Sequence, residues 1–188
     1  MNANTLSLAA CLILCTTLLR AELTSGSAPP ITWGLATNDI LAGVRVQRSF
    51  KHGGDAVCQT VIYVGTTNSS KQIRAYCPKP TELFLAELFD RRAEQVPRTK
   101  LGAKFGQDPP PIAHLKDKPG GGPGRWNICI ATSDREEQVG HFNISEHFLT
   151  AEPGAYRLRI ELRLYLQVPN GELVLFRLPT VTLAVPVP

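Results

Sequence analysis

From Tyr156 to Leu166 apolar and polar side chains alternate without a break, and no other stretch limits the fold as strongly. A strand has a side-chain period of two, so Tyr156, Leu158, Ile160, Leu162, Leu164 and Leu166 share one face. Arg157, Arg159, Glu161 and Arg163 take the other. A period of 3.6 would scatter the same leucines around a helix. One dry face and one wet face belong to an antiparallel sheet, because parallel sheets are buried on both sides.

The rest of the chain reads the same way. Ile31–Ala36 is a short first strand closed by the turn residues Asn38-Asp39, and Ile40, Ala42, Val44 and Val46 alternate along a second. Residues 56–64 are rich in β-branched and aromatic side chains, as a central strand requires. Strands follow through Ile73–Cys77 and Arg125–Thr132, and Val181–Val185 closes the sheet. Asn170-Gly171, set between two apolar runs, is a hairpin signal because both residues tolerate positive φ. Thr81–Asp90 mixes parities, and its length after a proline favours a strand. About seven to nine antiparallel strands without a sustained helix predict an all-β, Ig-like β-sandwich over 31–188. Residues 105–124 hold Pro109-Pro110-Pro111 and Gly120-Gly121-Gly122. That is too long for an ordinary connection, so it reads as a disordered or functional loop insertion and a candidate contact segment.

Residues 5–19 are uncharged and mostly apolar. As a helix they reach about 22 Å, short of the roughly 30 Å bilayer core, which predicts a signal peptide over 1–21 and a linker over 22–30. The expected location is secreted or periplasmic, with no membrane span after leader cleavage; a lipid anchor at Cys11 and an uncleaved anchor are the alternatives. An oxidising compartment allows one disulfide at most among Cys58, Cys77 and Cys129, against a role as small buried hydrophobes. Asn68 and Asn143 begin N-glycosylation acceptor patterns, which matter only in a eukaryotic secretory pathway. The 43% hydrophobic content argues against wholesale disorder, and the net charge of +4 comes from interleaved residues, which gives nucleic-acid binding no basic patch to stand on.

Catalytic signals are sparse. His52, His114, His141 and His147 form no metal-ligand spacing, no C-x-x-C is present, and no nucleophile elbow, P-loop or dinucleotide fingerprint occurs. The only Met is the initiator, which argues against a blue-copper site. No enzyme activity, catalytic residue, cofactor or metal is expected. Ser145-Glu146-His147 holds triad letters, but letters so close in sequence rarely make a triad geometry, and the acidic groups Glu82/Glu87 and Asp134 with Glu136-Glu137 read as solvated faces. Trp33 and Trp126 are the candidate contact residues, as aromatics that stack on sugars or anchor proteins, with core packing as the alternative.

Three segments together resemble bacterial exported sandwich proteins with Ig-like topology. They are Ile31–Asp39 leading into Leu41–Val46, Phe89-Asp90 running to Val96–Gly102, and Phe142–Phe148 through Pro153–Leu158. Most members of that set have no assigned activity, so the resemblance implies a fold and carries over no functional residue. The expected function is an exported, non-enzymatic binding or structural module of the cell envelope, with a protein or polysaccharide partner. A carbohydrate-binding module is the first alternative, and an exported hydrolase with a site near His141 and His147 the second.

Overall fold

The computed structural model describes residues 28–50, 56–68, 73–109, 127–132, 135–168 and 170–187, except the side chains of residues 127–131. The predicted leader, most of the linker, His52, His114, Trp126 and residues 110–126 lie outside the described set. Ten strands run through it: β1 (Thr32–Trp33), β2 (Ile40–Phe50), β3 (Ala56–Thr66), β4 (Ile73–Cys77), β5 (Phe84–Phe89), β6 (Asn127–Ala131), β7 (Glu137–Asn143), β8 (Gly154–Gln167), β9 (Leu173–Arg177) and β10 (Val181–Val187). One-turn helices α1 (Pro80–Leu83) and α2 (Ile144–His147) and a 3-10 turn at Gly102–Lys104 interrupt them. Every strand pair is antiparallel.

The strands form two sheets. The first has the order β1-β2-β3-β7. The second is organised around β8, whose fourteen residues serve four neighbours. Its first half lies between β10 and β5, and its second half between β9 and β4, with β6 beyond β4. Leu158, Ile160, Leu162 and Leu164 are fully buried, as the alternation predicts. They join Ile40, Ala42, Val44, Ile62 and Val64 from the first sheet in one apolar core. Burying each of the large aliphatic side chains contributes about 2 kcal/mol before chain entropy is counted.

Three local readings change. The expected strand Ile31–Ala36 shortens to Thr32–Trp33. Asn38 and Asp39 both sit at positive φ (50° and 66°), while Thr37 and Ile40 exchange backbone bonds of 2.9 and 3.0 Å. This is a two-residue primed turn, whose twist suits a hairpin. Thr81–Asp90 divides: Pro80–Leu83 make a helical turn, and Phe84, Ala86 and Leu88 then face the core from β5. The mixed parity came from a change of conformation at Leu83. In the Asn170-Gly171 hairpin only glycine carries positive φ (87°), its N–H donating to the Val168 carbonyl at 2.8 Å.

A fourth change concerns the wet face of β8, which is not wet throughout. Arg157 and Arg159 are exposed, but Arg163 is 3% exposed. Its Nε donates to Glu161 Oε1 at 2.9 Å, and its guanidinium also donates to the Gly106 and Gln107 carbonyls at 3.2 and 2.9 Å. Arg177, directly opposite on β9, shares Glu161 at 3.3 Å and Asp108 at 2.9 Å. Asp108 also lies 3.4 Å from Arg163. Two facing arginines would repel; the two carboxylates between them remove that cost and fasten residues 106–108 across the sheet. The first residues of the predicted 105–124 loop are therefore held in place.

Candidate functional site

Trp33 stands on the outer face of the first sheet, opposite Gly43 in the β1–β2 ladder. A Cβ added to Gly43 would meet the six-membered ring of the indole at 2.6 Å, and one added to Gly65 of β3 would meet it at 2.9 Å. Neither glycine has positive φ. Their absent side chains make room for the ring, so the indole packs against the backbone of both strands. This is the close approach that a glycine inside a strand marks. With one side so covered, Trp33 keeps 39% of its surface exposed.

Beside the ring opens a cleft of about 270 Å³, lined by Trp33, Leu41, Gly65, Thr66, Thr132, Arg135 and Glu136. The turn at Thr132 and Arg135, closed by an Arg135 N–H bond to the Thr132 carbonyl at 3.3 Å, brings the two charged residues to its rim. Arg135 makes one loose ion pair, 3.9 Å from Glu137, with its side chain 77% exposed. The Glu136 carboxylate has no partner among the described residues and is exposed. Further along the same outer face Arg45 donates to the Tyr63 hydroxyl at 3.2 Å and lies over its ring, and Gln47 bonds Gln59 at 3.0 Å.

A larger cleft, about 420 Å³, lies between Asp90–Arg92 and Ala151–Tyr156. Several of its polar groups are already used. Asp90 Oδ1 accepts the Arg92 and Glu94 amides at 2.8 and 2.9 Å, and the Tyr156 hydroxyl donates to the Glu152 carbonyl at 2.7 Å. The aromatic residue lining this cleft is the half-buried Tyr156.

The other singled-out residues separate. His141 is exposed on β7, whereas His147 is 5% exposed at the end of α2, so the pair does not form one strand face. The His147 ring packs against Phe142 and Phe105 at 4.8 and 4.5 Å. Its Nδ1 lies 3.1 Å from the Asn143 carbonyl, which assigns the proton to Nδ1, and its buried Nε2 has no partner among the described residues. Burial holds this imidazole below its usual value, opposed by the bond to Asn143 and by Glu146, and assisted by Arg98. Cys58 carries a free thiol donating to the Pro186 carbonyl at 2.6 Å, and burial pushes its value up against the pull of Arg48. Cys77 is buried in β4, and the register sets Cys129 opposite Ala75, two positions from it. Glu87 pairs with Arg159 at 3.5 Å and Glu82 is nearly buried in α1, so these acids form no catalytic couple with each other. Among the described residues no three His, Cys, Asp or Glu side chains gather as a metal site, and no helix is long and apolar enough to cross a membrane.

The chain matches no protein-family model, no curated protein and no solved structure. The site therefore rests on its own geometry. The sequence singles out Trp33 as a candidate contact, and the structure places it beside this cleft. Gly43, Gly65, Arg135 and Glu136 were not read as its companions, although a glycine in each of two neighbouring strands was a usable signal.

Proposed function

We propose that this chain is an exported, non-enzymatic binding module of the cell envelope, an Ig-like sandwich whose contact surface is the outer face of the first sheet around Trp33. The observation that carries this reading is the indole seated on Gly43 and Gly65 beside the Arg135–Glu136 cleft. An aromatic ring fixed by its own scaffold loses little freedom on binding, and that is what a contact residue needs. The apolar run at 5–19 supports export. Binding chemistry is favoured over catalysis because, among the described residues of this cleft, neither Thr66 nor Thr132 hydrogen-bonds the Glu136 carboxylate.

The test is co-sedimentation of the purified protein with envelope fractions from its own host. The wild type is expected to sediment, Trp33→Ala to lose about tenfold in apparent affinity, and His141→Ala, on the same face, to behave as wild type. Equal sedimentation of Trp33→Ala and wild type, or none by either, overturns the reading.

A further inference from the structure

We infer that the cleft beside Trp33 takes an uncharged pyranose ring of an envelope polysaccharide. This rests on the binding-module reading and adds the chemical class of the ligand.

The first argument is the shape of the platform. The indole packs against the backbone at Gly43 and Gly65 and keeps 39% of its surface exposed. An aromatic face carries negative potential and attracts the weakly positive C–H groups on the flat side of a sugar ring. A ring clamped against two glycines is preorganised, so little conformational entropy remains to be lost on stacking.

The second is the lining. Leu41 supplies an apolar wall next to the indole. Arg135 and Glu136 supply donors and acceptors on adjacent residues: a planar guanidinium presents parallel N–H groups to neighbouring hydroxyls, and a carboxylate accepts from them. A hydroxyl is both donor and acceptor, so a sugar can satisfy both groups at once. The two charges are opposite. An anionic sugar that gains from Arg135 meets repulsion from Glu136, and a cationic one the reverse, which favours a neutral ring.

The third is size. At about 270 Å³ the cleft lies just below the usual range for ligand pockets and suits one ring at a time. A polymer would be read at a single residue along its length.

The test uses the full chain carrying Trp126→Phe, which leaves Trp33 as the only tryptophan. Its emission is followed during titration with neutral oligomers of β-1,4-linked glucose, β-1,4-linked N-acetylglucosamine and mannose, and with an oligogalacturonate. A saturable change with at least one neutral oligomer, absent with the uronate, is expected. Glu136→Gln should weaken that binding about tenfold, and Trp33→Tyr, which leaves no tryptophan and is followed by sedimentation with envelope material instead, should retain part of it because a stacking face remains. If Trp33-dependent sedimentation with envelope material persists but no neutral oligomer competes for it, the saccharide assignment falls while the binding-module reading stands, and a protein partner takes its place. If the uronate binds as well as the neutral sugars, the assignment of an uncharged ring falls. If sedimentation itself ignores Trp33, both readings fall.

Discussion

Arg163 Nε donates to Glu161 Oε1 at 2.9 Å from two positions along the same strand, on a part of the strand face that residues 106–108 cover. The arginine is 3% exposed, while its partner's side chain keeps 25%. Removing the cation would leave the carbonyls of Gly106 and Gln107 without this donor inside a covered site, and Glu161 with Arg177 alone. Arg163→Ala is therefore expected to lower stability by about 3 kcal/mol, read from urea unfolding. Asp108→Asn, with a side chain 74% exposed, should cost less than about 1 kcal/mol. Comparable effects from both would show that the cluster is no more than a surface ion pair.

Gly43 and Gly65 leave space for the indole of Trp33. Gly43→Ala should lift the ring from the sheet, shift tryptophan emission to the red and cost about 1–3 kcal/mol through overpacking. Gly171→Ala serves as a contrast. There the penalty comes from positive φ with nothing within 4 Å, so emission should be unchanged. Identical spectra for Gly43→Ala and wild type would remove the indole from this seat.

His147 gives the fold a dependence on acid. As pH falls through about 6.5, the unfolded imidazole takes up a proton that the buried one resists, so protons favour the unfolded chain. The stability from burying a neutral ring is complete above 6.5 and declines as pH drops below it. The charged groups around the ring are Glu146 and Arg98, and they act in opposite directions. Denaturant midpoints between pH 7.5 and 5 should fall in the wild type and flatten in His147→Gln, measured on the described fold under otherwise equal conditions.

Alkaline pH acts through Cys58 and Tyr165. Burial raises the Cys58 thiol above 9.0, and burial with the nearby Glu82 charge pushes the Tyr165 hydroxyl up to about 12. Both folded groups hold their protons longer than the unfolded ones. Their contribution is full below the unfolded values and is lost as pH rises, from about 9 for Cys58 and between about 10 and 12 for Tyr165. Tyr165→Phe should reduce the loss between pH 10 and 12 in the same unfolding assay. Native Cys58 should also react with a thiol reagent far more slowly than the unfolded chain does.

Much of the fold was legible because burial on one side of a strand writes itself into the sequence with a period of two. Leu158, Ile160, Leu162 and Leu164 on β8, and Ile40, Ala42 and Val44 on β2, fill the core as their alternation requires. The Asn38-Asp39 turn was visible for a related reason, since few residue pairs accept consecutive left-handed conformations. Arg163 was misread because its burial depends on Gly106, Gln107 and Asp108, more than fifty residues earlier in the chain. The same limit applies to the candidate site. Trp33 stood out by its type, but its seat combines β1, β2 and β3 with the turn at Thr132 and Arg135, and no local pattern encodes such a meeting.

The central position of β8 has a consequence for the order in which the molecule is assembled. The β2–β3 hairpin is local and can pair early, but β4 and β5 have no partner in β8 until Gly154–Gln167 has been made. During synthesis, the apolar faces of Ile40, Val44, Ile62, Phe84 and Leu88 precede the strand that covers them by about a third to three fifths of the chain's length. Long-range pairing of this kind is slow and leaves a nascent chain open to chaperones. A chain whose second sheet closes only when its last strands appear completes its core at the end of synthesis.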